Sequence, residues 1–245
     1  MQTNKALRLD KSLCDMGYGT RSEVKKMIAR GRVTVDGQTA KSADLKVDPA
    51  AVFTIDGVEA FYNLYEYRML NKPAGVITAT EDARQTTVLD LVRGEGIRKD
   101  LAPVGRLDID TEGLLLLTND GALAHQLLSP KKHVPKTYFV RLSGPVTEDV
   151  IRELEAGVTI DDADGAFTAL PAQVRTIEED REVYITIYEG KYHQVKRMFQ
   201  AFGLTVIYLK RVSMGSLALD PALKPGESRL LTSEEINRLK AEVNG

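Results

Sequence analysis

Apolar and polar positions change their period several times along the chain, and each change marks an element. In ALRLDKSLCDMGYG (6–19), Leu7, Leu9, Leu13 and Met16 are spaced to form one apolar helical face, which Gly17 and Gly19 end. TRSEVKKMIARG (20–31) opens with Thr20 and Glu23 in capping-box spacing, where a hydroxyl and a carboxylate satisfy free amide donors at a helix start. Val24, Met27 and Ile28 then face inward, and Gly31 supplies the stop. The period drops to two in RVTVDGQTA and again in AVFTIDGVEA, each strand running into an Asp-Gly turn. Two short helices followed by small strands predict a compact unit of about 60 residues.

Near residues 58–66 the chain passes to strand-like sequence without a Gly/Ser linker, which predicts a short tether and domains at 1–60 and 61–245. Beyond it, TYFVRL, REVYITIYEG and LTVIYL read as strands. EDVIRELEAG reads as a helix with Gly157 past its periodic part. YHQVKRMFQAFG sets Val195, Met198, Phe199 and Phe202 at helical spacing before Gly203, and TSEEINRLKAEV begins with a second capping box, Thr232 and Glu235. Helices and strands alternate irregularly, with no βαβ repeat and no phosphate-binding glycine loop, so the expected class is α+β with a largely antiparallel sheet.

Composition narrows the function classes. Hydrophobic residues at 43% and charged residues at 28% disfavour disorder and membrane proteins, and MQTNKALRLDKSL lacks the apolar stretch of a signal peptide, so a cytoplasmic location is expected. A single cysteine, Cys14, excludes an intramolecular disulfide and CxxC zinc sites, and His125, His133 and His193 have no HExxH spacing. The net charge of −2 hides an asymmetry: residues 1–32 carry eight basic side chains against three acids, a balance of +5, leaving −7 for the rest. A basic module joined to a different one is the implied layout.

One stretch combines these signals with candidate chemistry. In GRLDIDTEGLLLLTNDG (105–121), Asp108, Asp110, Glu112 and Gly113 fill the first, third, fifth and sixth positions of a calcium loop. The ninth and twelfth positions are Leu116 and Asn119, which removes the bidentate glutamate such a loop needs, so no metal site is expected. The four leucines read as a strand buried on both faces that anchors a short loop.

The segment LRLDKSLCDMGYGTRSEVKKMIARGRVTVDGQ resembles the small RNA-binding domain of the ribosomal S-four type. That resemblance makes Arg8, Lys11, Arg21, Lys25, Lys26 and Arg30 candidate phosphate contacts. RMLNKPAGVITAT, PVGRLDIDTEGLLLLTNDG, SPKKHVPKTYFVRL and EGKYHQVKRMF then follow in the order seen in the pseudouridine synthases of the ribosomal small-subunit type. By that resemblance the chain isomerises a uridine in ribosomal RNA, with small-subunit RNA as the expected target and no cofactor. A monomer that binds ribosomal RNA or an assembly intermediate is expected. A large-subunit target and a non-catalytic RNA-binding assembly protein stand as alternatives.

The same resemblance assigns roles. Asp108 is the catalytic carboxylate, either attacking the anomeric carbon as retaining glycosidases do or removing the ribose 2′ proton to give a glycal. Tyr138 is expected to stack on the uracil and assist proton removal at C5. Lys196 is expected to pair with Asp108, since an adjacent cation favours a charged carboxylate; Arg197 points about 100° away on a helix. Asp110 reads as turn chemistry beside Thr111 and Gly113. The target nucleotide must flip out of its stack to be reached. Arg106 is a candidate to fill the gap left by the displaced base or to hold a flanking phosphate, and Lys72, Lys131, Lys132, Lys136 and Lys191 are candidate backbone contacts.

Overall fold

The computed structural model describes residues 6–94, 96–160, 165–177 and 180–244. The chain divides into two compact units: residues up to Glu66 with Val92–Leu101, and Tyr67–Leu91 with Ala102 onward.

The first unit contains β1 (Leu7–Arg8), α1 (Leu9–Asp15), α2 (Arg21–Ala29), β2 (Val33–Val35), β3 (Gln38–Thr39), β4 (Lys46–Val47), β5 (Val52–Ile55) and β6 (Val58–Phe61). Leu7, expected on the helix face, belongs to β1 and pairs with Val47, so α1 begins two residues later. At the start of α2 the capping box forms: Glu23 N donates to Thr20 Oγ1 and Thr20 N donates to the Glu23 carboxylate at 2.7 Å. β3, β2, β5 and β6 form an antiparallel sheet in that order. Its tight turns place Asp36-Gly37 and Asp56-Gly57 at positive φ, the backbone that Asp-Gly pairs accept most readily. Leu9, Leu13, Val24, Val33 and Phe53 are fully buried between helices and sheet, each contributing roughly 1.5–3 kcal/mol of apolar transfer.

The expected boundary at residue 60 differs from the compact unit, which extends to Glu66 and recruits 92–101 from later in the chain. Arg98 shows why: its backbone N–H donates to Glu66, and its guanidinium donates to the Asn63 carbonyl and pairs with Asp100. Gly17 receives this segment closely, since a Cβ there would lie 2.2 Å from the Ile97 carbonyl oxygen.

The second unit contains β7 (Tyr67–Lys72), β8 (Ala102–Pro103), β9 (Glu112–Thr118), α3 (Gly121–Leu128), β10 (Lys136–Leu142), α4 (Glu148–Ala156), β11 (Thr159–Ile160), β12 (Phe167–Thr168), β13 (Gln173–Thr176) and β14 (Glu182–Ile187). It ends with α5 (Gln194–Gln200), β15 (Val206–Met214), β16 (Leu217–Ala218), β17 (Ser228–Leu230) and α6 (Ser233–Asn244). Its main sheet runs β13-β14-β10-β15-β9-β7-β17, with β8 added to β9 and β16 to β15. The β15–β9 pairing is parallel and the other pairings are antiparallel, as the α+β pattern predicts.

Leu114 to Leu117 occupy β9 with essentially no exposure, so the LLLL run is buried on both faces. Leu114 and Leu116 pack with Leu123 and Leu127 of α3 and Leu239 and Val243 of α6. Gly113, the second residue of the strand, sits at φ +99°; a Cβ there would come within 2.2 Å of the Arg211 carbonyl oxygen, so only glycine permits the parallel junction with β15.

Candidate active site

The loop from Val104 to Thr111 enters β9, and its carbonyl groups are gripped from beneath. Lys72, at the end of β7, has no solvent exposure, and its ammonium is shared among the carbonyl oxygens of Pro73, Asp108, Ile109 and Thr111 at 2.9–3.3 Å. Thr78 exchanges hydrogen bonds with the backbone of Leu107, and Gly75 N donates to Ile109 O at 2.8 Å. Burial pushes the Lys72 ammonium down to about 8, although Asp110, Asp108 and Glu112 favour its charge. Lys72 therefore holds the loop and cannot reach an RNA phosphate, which corrects the expectation from sequence.

Above that grip, each oxygen of Asp108 faces a different nitrogen. Oδ2 lies 3.1 Å from Lys196 Nζ and Oδ1 lies 3.4 Å from His193 Nε2. Lys196 arrives from the first turn of α5, beside the face that buries Val195, Met198 and Phe199. His193 precedes the helix in a left-handed conformation at φ 49°, and its ring stacks on Tyr192 with centroids 3.8 Å apart. Arg197 is turned aside as the helical period requires, donating to Tyr192 O and lying over the Phe167 ring.

Asp110 does more than shape a turn. Its carboxylate accepts from Lys196 Nζ at 2.6 Å, closer than Asp108, while its side chain is two-thirds exposed. Burial works against the Lys196 charge, but hydrogen bonds and attraction from Asp110 and Asp108 prevail and hold its ammonium above the ordinary lysine value. Burial likewise opposes the Asp110 charge, and the Lys196 contact outweighs it, keeping that carboxyl below the usual range. Glu112 accepts instead from the Tyr208 hydroxyl at 2.8 Å. Of the carboxylates in the DxDxEG spacing, Asp108 and Asp110 thus share Lys196 and Glu112 is drawn away to Tyr208.

Asp108 borders a pocket of about 110 Å³ whose wall includes Arg106, Thr111, Tyr138, Ile187, His193 and Leu209. Tyr138 sits in the middle of β10, nearly buried, with Ile185 and Arg211 as its cross-strand neighbours. Lys136 and Arg211 also line the pocket and are buried. Burial, reinforced by the neighbouring Arg211 charge, pushes Lys136 down to about 8, and its Nζ donates to Val134 O at 2.8 Å. Lys136 therefore faces inward, which corrects its expected place among the backbone contacts.

Of the predicted catalytic residues, Asp108 and Tyr138 line this pocket, and Lys196 joins them through its ion pair with Asp108. Arg106 and Lys191 lie exposed on the same pocket's lining, and Lys131 and Lys132 are exposed on the short 3₁₀ turn before β10. In the first unit, Arg8, Lys11, Arg21, Lys25, Lys26 and Arg30 are all exposed; Arg8 pairs with Asp10, Lys11 with Asp15, and Lys26 and Arg30 line a separate cleft. Sequence reasoning missed His193 and Arg211. His193 had a signal, three positions before Lys196; Arg211 lay in an apolar strand with none.

This chain is similar to known proteins along almost its whole length. Residues 66–201 match the RNA pseudouridylate synthase family and residues 7–53 match the S4 domain. "Uncharacterized RNA pseudouridine synthase YtzG" of Bacillus subtilis is 52% identical, covering 95% of this chain and 98% of the relative. "Ribosomal small subunit pseudouridine synthase A" of Vibrio cholerae is 43% identical, covering 94% and 98%. A crystal structure of a pseudouridylate synthase superposes with a TM-score of 0.65 at 36% identity, covering 95% of this chain and 99% of that one. A basic S4 unit, an α+β unit with a loop carboxylate over a small pocket, and these likenesses agree: the chain belongs to the RNA pseudouridylate synthase family.

Proposed function

We propose that the protein converts one uridine of small-subunit ribosomal RNA to pseudouridine, with Asp108 as the catalytic carboxylate. The observation that carries this reading is the meeting of Asp108 and Tyr138, distant in sequence, on one pocket, with Lys196 paired to Asp108. Relatives named for the small ribosomal subunit support the choice of RNA. The substrate is ribosomal RNA or an assembly intermediate, met by a cytoplasmic monomer.

A flipped uridine brings its ribose to the loop and its base into the pocket. In the substitution route an Asp108 oxygen forms a bond to C1′ as the N1–C1′ bond breaks, and uracil leaves with the electron pair. After the ring turns, C5 attacks C1′ and displaces the carboxylate. The C5 proton is then lost and N1 gains one, so atoms and charge balance without a cofactor. In the elimination route Asp108 accepts the 2′ proton instead as the N1–C1′ bond breaks, leaving a glycal and the uracil anion; after the ring turns, C5 bonds to C1′ and C2′ takes the proton back. Tyr138 lies against the base, placed to accept the C5 proton. Lys196 holds the carboxylate through its ion pair in either route, and the exposed Arg106 is positioned to follow the displaced strand.

The test is chemical and positional. RNA carrying uridine tritiated at C5 releases tritium to water only if C5 is deprotonated, and mapping pseudouridine in ribosomal RNA from a deletion strain finds the target. Loss at a single small-subunit position is the expected result. Loss only in large-subunit RNA would reassign the target, and binding without tritium release would indicate a non-catalytic assembly protein.

A further inference from the structure

Alternation along β10 puts Lys136 and Tyr138 on one face of the strand, and pairing sets Arg211 opposite Tyr138. Ile187 and Leu209 share this pocket wall, and Asp108 and Thr111 also line the pocket. Two cations in such surroundings, 7% and 2% exposed, are costly to bury without a compensating partner. Neither forms an ion pair with a described residue. Lys136 Nζ reaches the Val134 carbonyl and Arg211 Nε reaches the Leu114 carbonyl, each at 2.8 Å. Arg211 Nη2 and the hydroxyl of Thr111, both buried, have no hydrogen-bond partner in the protein. Unpartnered polar atoms are uncommon in folded interiors, and these two belong to residues lining the same pocket as Asp108.

We propose that Lys136 and Arg211 form the leaving-group site: their donors take the carbonyl oxygens of the target uracil, and their charge stabilises the uracil anion released when the glycosidic bond breaks. This rests on the assignment of the pocket to the flipped base and of Asp108 to the ribose. When N1 separates from C1′ the electron pair passes to N1 and spreads onto O2 and O4. Both routes open to Asp108 generate this anion, so the role is independent of the choice between them. Donors fixed where charge develops stabilise the transition state more than the bound substrate. A lysine and an arginine offer donors only. Cytosine, with an amine at C4 in place of the carbonyl, would set donor against donor there, so the same pair selects uracil.

The experiment pairs changes in the full-length protein with single-atom changes in the RNA. Lys136→Met and Arg211→Gln are compared with wild type on the RNA hairpin carrying the mapped uridine, and on the same hairpin with 2-thiouridine or 4-thiouridine at that position. Sulfur is a weak acceptor, so it mimics loss of one contact from the substrate side. Each variant is expected to lower the single-turnover rate about 100-fold or more while RNA affinity stays within about threefold. Each is also expected to lose sensitivity to one thio substitution, because the contact that sulfur weakens is already gone. Wild-type rates in Lys136→Met would overturn the proposal, as would rate losses that leave both thio effects undiminished in both variants. If Arg211→Gln does not fold, Lys136→Met, which replaces a buried charge with an apolar chain of similar length, carries the test. Failure of the Asp108 assignment is separately visible as wild-type turnover by Asp108→Asn.

Discussion

Replacing Lys72 with methionine separates the rigidity of the Asp108 loop from the stability of the fold. The ammonium touches four carbonyls, but two of these keep another donor: Gly75 N bonds the Ile109 oxygen at 2.8 Å and Thr111 N bonds the Asp108 oxygen at 3.1 Å. The buried carbonyl of Thr111 and the partly buried one of Pro73 are left, and orphaning both costs at most about 6 kcal/mol. Against this, burying the charge is itself unfavourable. The fall of the ammonium from its ordinary 10.5 to about 8 corresponds to roughly 3 kcal/mol, which methionine recovers. The two effects nearly cancel, so global stability should change by no more than about 3 kcal/mol. Activity does not share the compensation. The tie that fixes the Asp108 backbone is gone, and a displacement of about 1 Å at a reacting group costs on the order of 100-fold in rate. Thermal melting and single-turnover kinetics on the same preparation make the comparison. A folded Lys72→Met protein that turns over within about threefold of wild type would refute the claim that this ammonium positions the loop.

The remaining predictions draw on other contacts. Lys136→Met should leave stability unchanged or raise it by up to about 2 kcal/mol at neutral pH, the roughly 3 kcal/mol of recovered burial less about 1–3 kcal/mol for the orphaned Val134 O. The sign follows from its depressed value: between about 8 and 10.5 the unfolded chain binds the proton that the folded chain releases, so wild-type stability rises with pH across that window and the variant lacks the Lys136 contribution, as urea melts at pH 7 and 10 would show. Tyr138 and Arg211 face the same pocket, and Lys72 contributes a rise over the same window that both proteins keep, so the difference between them isolates Lys136. Gly113→Ala should destabilise by about 3 kcal/mol or more, because its Cβ would collide with the Arg211 carbonyl at a positive φ; an unchanged melting temperature would refute the tight junction. Lys196→Met should lower turnover about 100-fold, whereas Asp110→Asn should stay within about threefold, since Lys196 keeps its contact with Asp108; equal losses in steady-state kinetics would contradict the distinction.

Local rules made much of this structure legible. The capping box at Thr20, the two Asp-Gly turns and the buried LLLL strand depend on neighbours in sequence, and each forms as its residue types dictate. The convergence of Asp108, Tyr138 and Lys196 was foreseen through family resemblance and not through spacing. Tertiary pairing was beyond either. Nothing local distinguishes Lys72 from a solvated lysine, and only the path of β7 beneath the loop turns it into a carbonyl ligand. Asp110 looked like turn chemistry because its partner lies 86 residues away. The excursion of 92–101 into the first unit and the inward turn of Lys136 and Arg211 likewise arise from packing between distant segments.

The central claim is that Asp108 performs the chemistry, and tritium release from C5-labelled RNA tests it most directly. Wild type and Asp110→Asn should release tritium at similar rates, while Asp108→Asn binds the RNA with wild-type affinity and releases none above background. Release by Asp108→Asn at the wild-type rate would contradict the account.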